Sequence, residues 1–260
     1  MDKNIDVPEG YEEIYDETDF FSKSAESAAR FEKYEPRRYR IKGEPADTIG
    51  YGHLIEDKRE YYNLAKELGI KDPENLDEIE ALNLFKNDFK VRRDEIGKRY
   101  PSTSPALLDI MANKKFQYSP KGFEARFGEP LRKNDTEGIV QALGKEAVEK
   151  QAIGQGGFIP RNREIVQLLR EYGKELQMNL VDKGYDVGDI DGIIGPRTKE
   201  AIKSFQKDSG LVPDGSVGPK THRSLLSMVG DIFGTPAYAD ELEDVPEGYE
   251  EIKQGVGEAK

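Results

Sequence analysis

Two side chains sixteen residues apart, Glu32 and Thr48, are of the types that acid chemistry on a sugar chain requires. Such chemistry needs a protonated carboxyl on one side of the scissile bond and a held water on the other. Glu32 follows Phe31 near the end of a helix-prone segment, residues 24–32, which Pro36 is expected to stop. Residue types alone do not separate this interpretation from a solvated glutamate at a helix end, so the surrounding pattern has to decide.

Thr48 belongs to the stretch ADTIGYGHLI, residues 46–55, which is predicted to form one β-strand in spite of Gly50 and Gly52. Because side chains alternate between the two faces of a strand, Thr48 and both glycines would share one face. The glycines would then leave a shallow platform beside the hydroxyl for a bulky ligand. His53 would point to the opposite face, which predicts a structural, hydrogen-bonded histidine rather than a general base.

Composition narrows the possible functions. A chain of 260 residues can hold one large domain or two smaller ones, and 36% hydrophobic with 35% charged residues suits a soluble protein with a core. The chain has no cysteine and only two histidines, so thiol nucleophiles and thiolate metal sites are excluded. A zinc site built by the protein is not expected, and neither is a cofactor. No stretch approaches the ~18 apolar residues of a membrane span, so membrane insertion is not expected.

The acidity of the chain is concentrated at its two ends. The first 20 residues carry eight acidic groups and one lysine, and the last 26 carry eight acidic groups and two lysines, which accounts for the net charge of −12. The part between them is close to neutral, which argues against a nucleic-acid partner because such proteins need a basic surface. The acidic N-terminus also lacks the basic start and apolar core of a secretory signal.

The two ends also share a sequence. DVPEGYEEI occurs at residues 6–14 and again, letter for letter, at residues 244–252. Its proline, glycine and glutamates favour an extended, solvated segment. Two interpretations are open: a linker or processing tag, or a docking segment for a partner such as a virion component.

The region around the candidate acid resembles the phage lysozyme (endolysin) family, glycoside hydrolase family 24. The resemblance rests on FEKYEPRRYR at residues 31–40 and TIGYGHLI at residues 48–55, with a proline four residues and a tyrosine seven residues past the glutamate. It continues through DEIEALNLFKNDF at 77–89, FQYSPKGF at 116–123 and GGFIPRNREIVQLL at 156–169. It therefore covers about residues 20 to 172.

The resemblance implies roles for four side chains of the site. Glu32 would be the general acid that protonates the glycosidic oxygen, and Thr48 would help to hold the attacking water. Gln117 would contact the saccharide near the junction of two lobes. Arg163 would approach Glu32 and help to fix its carboxylate.

The resemblance also implies a structural pair outside the chemistry. His53 would contact Asp88 of the following lobe. This pairing agrees with the position of His53 on the face of the strand opposite Thr48. If the pair is buried, the loss of either partner would be costly.

One position departs from the family pattern. Family members carry an aspartate, or sometimes a cysteine, two residues past the tyrosine, and this chain has Ile41 there. A second catalytic carboxylate would then come from Asp47 or from Glu44, and a β-bulge would be needed to turn Asp47 to the side of Thr48. Otherwise Thr48 alone would position the water. These alternatives leave both inverting hydrolysis and transglycosylation open.

Residues 174–230 contain a repeat of their own. DGIIGPRT at residues 191–198 recurs as DGSVGPKT at residues 214–221. Asp-Gly favours a turn and Gly-Pro places a proline at the first position of a helix, so each unit predicts a turn that starts a helix. With a leading helix at about residues 174–183, the repeat predicts a three-helix domain. Its expected core consists of Leu176, Leu180, Ile202, Phe205, Leu211 and Leu225.

This double pattern strongly resembles the peptidoglycan-binding domain found on many wall hydrolases. The resemblance implies that the module holds wall glycan or peptide stems without catalysing a reaction. Bacterial peptidoglycan is therefore the expected partner.

The sequence thus predicts an α+β protein with a lysozyme-like two-lobe domain at residues 20–172, made of a small β-hairpin lobe and a helical lobe. A small three-helix peptidoglycan-binding domain at 174–230 follows, and residues 1–19 and 231–260 would be acidic extended segments. The expected activity is that of a muramidase, which hydrolyses the β-1,4 bond between N-acetylmuramic acid and N-acetylglucosamine.

A phage endolysin or virion-associated lysin would carry this activity, starting in the host cytoplasm or the virion and acting on the cell wall. Two alternatives remain open. One is a non-catalytic wall-binding protein with a degenerate lysozyme lobe, and the other is a lytic transglycosylase.

Overall fold

The computed structural model describes residues 19–43, 46–155 and 157–226. The repeated nonamers, Glu44, residues 231–260 and the predicted acidic segment 1–19 except Asp19 lie outside these residues. The described part of the chain contains nine helices and three strands. In chain order they are α1 (Asp19–Ala29), β1 (Glu35–Arg40), β2 (Asp47–Gly50), β3 (His53–Ile55), α2 (Lys58–Glu67), α3 (Glu78–Arg99), α4 (Pro105–Lys115), α5 (Pro120–Arg132), α6 (Thr136–Ala152), α7 (Phe158–Asp182), α8 (Pro196–Asp208) and α9 (Pro219–Leu226).

The three strands form one antiparallel sheet in the order β1-β2-β3. In the β2–β3 hairpin, Thr48 lies opposite Leu54 and Ile49 lies opposite His53. The prediction of one continuous strand over residues 46–55 is therefore wrong, because the chain turns back between the two strands. The sequence pattern combined two short strands and their turn into one element.

The two glycines of this stretch build the turn. Gly50 has φ of +64° and Gly52 has φ of +96°, a region of backbone conformation in which other residues are strained. The amide of Gly52 donates a hydrogen bond to the carbonyl of Ile49 at 3.2 Å. Gly50 also lies close to α3, since a Cβ atom there would come within 3.3 Å of the Cβ of Ala81. The glycines therefore shape the hairpin and its packing, which replaces the predicted platform.

The described residues bury two hydrophobic clusters. The smaller cluster lies between the sheet, α2 and the start of α3 and consists of Ile49, Ile55, Tyr61, Ala65, Ile70, Leu76, Ala81 and Leu84. The larger cluster runs through the helices from α1 to α9. Tyr51, at the hairpin turn, packs against both clusters and so connects the sheet with the helices. The fold is thus mixed and dominated by helices.

A single helix, α7, extends from the helical cluster into the repeat region. It runs without a break over Phe158–Asp182, so the leading helix predicted at about residues 174–183 is the C-terminal part of a longer helix. Tyr172 in this helix donates a hydrogen bond to Oγ of Ser104 at 3.0 Å. The Tyr172 ring also contacts the rings of Phe20 and His222. One buried side chain of α7 therefore touches the first helix, the start of α4 and the last helix.

The C-terminal part of α7 forms a three-helix unit with α8 and α9. Pro196 and Pro219 occupy the first positions of α8 and α9, as the repeat predicted. Of the six residues that were predicted to form the core, Leu211 is half-buried. The other five are buried: Leu176, Leu180, Ile202, Phe205 and Leu225.

Each half of the repeat is closed by a buried glutamine that the sequence analysis did not single out. The side-chain oxygen of Gln177 accepts a hydrogen bond from the amide of Gly192 at 2.7 Å. In the second half, Gln206 accepts one from the amide of Gly215 at 2.8 Å. Each side-chain nitrogen donates to the aspartate that opens its repeat, at 3.1 and 2.9 Å. The two loops are therefore built in the same way, around a glutamine from the preceding helix.

Candidate functional site

Glu32 lies just beyond the end of α1 and is held by a buried arginine. The helix ends at Ala29, earlier than predicted, and the amide of Glu32 donates to the Ala29 carbonyl at 2.9 Å. Nη2 of Arg161 lies 2.6 Å from Oε1 of Glu32. The Arg161 side chain is 4% exposed and the Glu32 side chain is 33% exposed, so solvent reaches the carboxyl but hardly the guanidinium. The same guanidinium lies over the ring of Phe31, 5.0 Å from its centre.

The arginine that contacts Glu32 is not the one that the family resemblance implied. Arg163 was expected in this position, but its side chain is exposed. Successive residues of an α-helix are about 100° apart around its axis, so positions 161 and 163 face nearly opposite directions. The expected kind of contact is present, two residues earlier in α7 than predicted.

Thr48 lies in the middle of the sheet, opposite Tyr39 of β1 and Leu54 of β3. Its side chain is 3% exposed, and its hydroxyl has no hydrogen-bond partner among the described residues. A buried polar group without a partner costs on the order of 1–3 kcal/mol. The structure thus places this hydroxyl inside the sheet, and the predicted role of Thr48 in holding a water stays a prediction.

Both candidate residues lie next to β1: Glu32 precedes this strand in the chain, and Thr48 lies opposite Tyr39 of the strand in the sheet. Glu32 precedes β1 by three residues, and the first residue of that strand pairs with Gly50 in the hairpin. The rings of Tyr34 and Tyr51 are 5.5 Å apart between these two segments. The chain segment that carries the carboxyl is therefore packed against the hairpin that carries the hydroxyl.

Asp47 has a structural partner on the neighbouring strand. Its Oδ1 accepts from Nε of Arg40 at 2.7 Å, and the two residues lie opposite each other in the β1–β2 pair. β2 pairs regularly with β3 over residues 47–49, so Asp47 faces the side of the sheet opposite Thr48. The bulge that would turn Asp47 toward Thr48 is absent from β2; the irregularity in pairing lies in β1, between Glu35 and Tyr39.

The predicted pair of His53 and Asp88 is confirmed. Nδ1 of His53 lies 2.9 Å from Oδ2 and 3.0 Å from Oδ1 of the aspartate. The His53 ring also packs against Tyr61, with the ring centres 5.6 Å apart. The contact joins β3 to α3, which is the structural role that was expected of this histidine.

Gln117 follows the end of α4 and is half-buried. Its side-chain oxygen accepts a hydrogen bond from Nζ of Lys114, one helical turn earlier. Lys114 itself is fully buried, which is rare for a lysine unless it is paired. Lys114 was not among the residues predicted from the sequence, although its place at the end of the mostly apolar run PALLDIMANKK was a signal of burial.

Lys114 belongs to a buried polar network that joins three helices. Its Nζ lies 2.6 Å from Oε2 of Glu146 on α6 and 2.8 Å from Oδ1 of Asn162 on α7. Asn162 donates to the same carboxylate oxygen at 2.9 Å, and the hydroxyl of Tyr118 donates to the other oxygen at 2.5 Å. The network therefore ends one residue from Arg161, the partner of Glu32.

Burial and hydrogen bonding shift the pKa values of Lys114 and Glu146 in opposite directions. Burial lowers the pKa of Lys114 to about 8, although its bond with Glu146 favours the charged form. Burial would raise the pKa of Glu146, but the hydrogen bonds from Lys114 and Tyr118 hold it below its usual value. The pair is thus charged on both sides near neutral pH.

Three further observations describe the surroundings. Ile41, which stands where the resembling family has an acidic residue, is 46% exposed directly after β1. Within residues 19–43, 46–155 and 157–226, no group of three or more His, Asp or Glu side chains is placed to hold a metal ion. In the same part of the chain, no helix combines the length and the apolar composition of a membrane span.

Comparison with known proteins identifies the repeat region. Residues 171–225 match the family model described as "Putative peptidoglycan binding domain". This match covers the C-terminal part of α7 together with α8 and α9, the three-helix unit with the two glutamine-closed loops. Residues 171–225 therefore form a domain of the peptidoglycan-binding type.

Three curated proteins are similar to short segments of the chain. The chain is 37% identical over 70 residues to "N-acetylmuramoyl-L-alanine amidase CwlM" of Mycobacterium tuberculosis, 27% of this chain and 17% of the relative. It is 46% identical over 48 residues to "Probable N-acetylmuramoyl-L-alanine amidase" of Bacillus licheniformis, 18% of this chain and 14% of the relative. It is 45% identical over 53 residues to an uncharacterized protein of Kitasatospora aureofaciens, 20% of this chain and 45% of the relative. The chain thus spans less than half the length of each of these relatives.

Proposed function

We propose that this protein is a cell-wall hydrolase that cleaves the β-1,4 bond between N-acetylmuramic acid and N-acetylglucosamine in bacterial peptidoglycan. The observation that carries the proposal is the contact between Glu32 and the buried Arg161 at the end of α1. A general acid must carry a proton and point at the glycosidic oxygen; the Arg161 guanidinium holds Oε1 of Glu32, so Oε2 would carry the proton toward the substrate. The match of residues 171–225 to a peptidoglycan-binding family supports the choice of polymer.

In the proposed reaction, Glu32 gives its proton to the glycosidic oxygen as the bond to the leaving sugar breaks. A water held by the hydroxyl of Thr48 attacks the anomeric carbon and releases its proton to solvent. Arg161 orients the carboxyl, and Gln117 contacts the saccharide. The hydroxyl of Thr48 has no hydrogen-bond partner among the described residues but is buried, so this role requires the hairpin to open toward the bound glycan.

The proposal uses one carboxylate. Asp47 was a candidate for the second, but its carboxylate pairs with Arg40 and faces away from Thr48. We therefore give Asp47 a structural role in the sheet. Glu44, the other candidate, lies outside the described residues.

The peptidoglycan-binding domain would act by holding the chain on its polymer. Linking a binding domain to a hydrolytic domain raises the local concentration of substrate without new chemistry. The continuous helix α7 connects the two, so the link is short and stiff rather than a flexible tether. A virion or phage origin, which the family resemblance implied, stays a prediction.

The names of two relatives favour a second candidate function. Two of the short matches are to proteins named as N-acetylmuramoyl-L-alanine amidases. An amidase of that kind would cut the amide bond to the peptide stem instead of the glycan chain. The two functions share the polymer and differ in the bond that is broken.

A product analysis on purified peptidoglycan distinguishes the candidates. A muramidase releases new reducing sugar ends, an amidase releases new amino groups, and a transglycosylase releases anhydro-muramic ends. The variants are Glu32→Gln and, as a matched control, Glu35→Gln, because the side chains of Glu32 and Glu35 are both 33% exposed and the two residues lie three positions apart.

We expect reducing ends from the wild type and from Glu35→Gln, and a loss of at least about 100-fold for Glu32→Gln, the low end of a general acid's contribution. New amino groups without reducing ends would replace the proposal by the amidase. Wall binding with no product of any kind would show a non-catalytic binding protein, and equal activity of all three proteins would remove Glu32 from the mechanism.

A further inference from the structure

The first turn of α7 carries Arg161 but has no side-chain cap. The residue before the helix is Gly157, which has no side chain to cap it, and no side-chain cap bond is found there among residues 19–43, 46–155 and 157–226. A side-chain cap usually stabilises a helix by about 0.5–2 kcal/mol. The direction of Arg161 must therefore be set by contacts with other elements.

Asn162 supplies these contacts from the neighbouring position. It is 4% exposed, accepts from Nζ of Lys114 at 2.8 Å and donates to Glu146 at 2.9 Å. It also donates to the backbone carbonyl of Leu143 at 3.1 Å. The first turn of α7 is thus tied to α4 and α6 through one side chain.

The ion pair of Lys114 and Glu146, to which Asn162 is hydrogen-bonded, is not explained by a gain in stability. Lys114 and Glu146 both have 0% exposed side chains, and removing two charges from water costs several kcal/mol each. Apolar residues of similar volume at such positions are often neutral or stabilising. What apolar residues would lack is directed hydrogen bonds, and Lys114 directs two of them, to Asn162 and to Gln117.

We propose that Lys114, Glu146 and Asn162 are positioning residues, which fix the direction of Arg161 toward Glu32 and of Gln117 toward the saccharide. The inference rests on the proposed function, since it assigns the network to the same site. None of the three residues is proposed to touch the substrate. They act by holding the first turn of α7 and the segment after α4 in one arrangement.

The test is the double variant Lys114→Met with Glu146→Leu, measured in the full chain. Met and Leu fill a similar volume, but the buried groups of Tyr118 and Asn162 lose hydrogen-bond partners. The melting temperature is therefore expected to fall, and kcat is measured well below it so that only folded protein is compared. The kcat for release of reducing ends from soluble glycan strands is expected to fall by about 10- to 100-fold, because small misplacements of catalytic groups have costs of this size. A purely structural pair would leave kcat unchanged once folding is preserved.

The matched control is Arg170→Met with Glu137→Leu, which removes another ion pair between α6 and α7. Arg170 lies about 13 Å further along α7 than Arg161, at 1.5 Å per residue. Both double variants leave the net charge unchanged. The control is expected to retain the kcat of the wild type; an equal fall in both double variants would overturn the positioning role.

A single variant keeps the test decisive if the double variant does not fold. Asn162→Ala leaves the ion pair in place and removes its link to α7 together with the hydrogen bond to the Leu143 carbonyl. It is expected to lower kcat at least tenfold while KM changes by a smaller factor. Wild-type kcat in Asn162→Ala would refute the inference even with the proposed function intact. The proposed function itself fails separately, if the wild type releases no reducing ends or if Glu32→Gln retains activity.

Discussion

Gly173 and Gly192 pack backbone against backbone at the point where α7 meets the first repeat loop. A Cβ atom at position 173 would lie 2.1 Å from the carbonyl oxygen of Gly192. A Cβ atom at position 192 would lie 2.3 Å from the carbonyl oxygen of Arg170. This close approach explains a glycine in the interior of α7, where helix propensity favours almost any other residue.

The first prediction concerns this contact. Gly173→Ala is expected to lower the free energy of unfolding by about 3 kcal/mol, at the upper end of overpacking costs, because the clash is with backbone. Urea denaturation followed by circular dichroism measures the change. Gly144→Ala is the control, since Gly144 lies exposed in α6 with nothing within 4 Å of a Cβ atom.

The control is expected to leave stability unchanged or to raise it by about 0.5–1 kcal/mol, the ordinary gain of alanine over glycine in a helix. If Gly173→Ala behaves like Gly144→Ala, the two backbones do not approach each other in solution as closely as the structure places them.

The second prediction concerns the two loop-closing glutamines. Gln177→Leu and Gln206→Leu are each expected to destabilise the fold by about 2 kcal/mol or more, because each leaves a buried glycine amide without its acceptor. Gln167→Leu, an exposed glutamine of α7, serves as the control for the same change in chemistry. Thermal unfolding of the three variants tests this. A loss in only one of the two loop variants would contradict the equivalence of the two repeats.

The third prediction follows from His222, which is 6% exposed and whose pKa is lowered by burial from 6.5 to about 4. In the unfolded chain the imidazole takes up a proton as the pH falls through 6.5, whereas the folded protein takes it up only near 4. The unfolded state therefore binds more protons in this window, and the folded state loses stability as the pH falls. The loss attributable to this one group is at most about 3 kcal/mol, at 1.36 kcal/mol per pKa unit.

Melting temperatures between pH 7.5 and pH 4 check this prediction. The wild type is expected to lose more stability over this range than His222→Leu, in which the titrating group is absent. Carboxylates titrate in both proteins, so the difference between the two curves isolates the histidine. Parallel curves would show that His222 in the folded protein takes up its proton with an ordinary histidine pKa.

The fold and the site differ in how far the sequence predicts them. The repeat DGxxGPxT predicts the helix starts at Pro196 and Pro219 because the turn and the proline act locally. The family resemblance predicts the contact of His53 with Asp88, since both residues lie in its motifs. These successes rest on local chemistry or on matched residues.

The errors arise where a contact depends on the rotational phase of a helix or on residues far apart in the chain. Arg161 rather than Arg163 meets Glu32, because a shift of two residues reverses the face of a helix. Lys114 and Asn162 are 48 residues apart in the chain, so no local pattern indicates their hydrogen bond. The pattern of Gly-Tyr-Gly suits a strand or a turn equally, and only the pairing of β2 with β3 shows which one forms.

The fourth prediction separates the chemistry of Thr48 from its packing. Thr48→Val keeps the shape of the side chain and removes a hydroxyl that has no partner among the described residues, so stability is expected to stay the same or to rise by up to about 1 kcal/mol. The kcat is expected to fall by about 10- to 100-fold, because in the proposed mechanism the attacking water would lose the hydroxyl that positions it. Thr48→Ser retains the hydroxyl and is expected to remain active. Full activity of the valine variant would remove Thr48 from the mechanism.

The last prediction compares the two arginines of α7. Arg161→Met removes the partner of Glu32 and is expected to lower kcat by about 100-fold, because the acid is then free to rotate. Arg163→Met makes the same change two residues away on an exposed face and is expected to keep kcat within about twofold, as surface changes usually have small effects. Initial rates of reducing-end release from one peptidoglycan preparation measure both. If Arg163→Met has the larger effect, Arg163 orients Glu32 during the reaction, as the family resemblance implied. The contact of Glu32 with Arg161 is then structural.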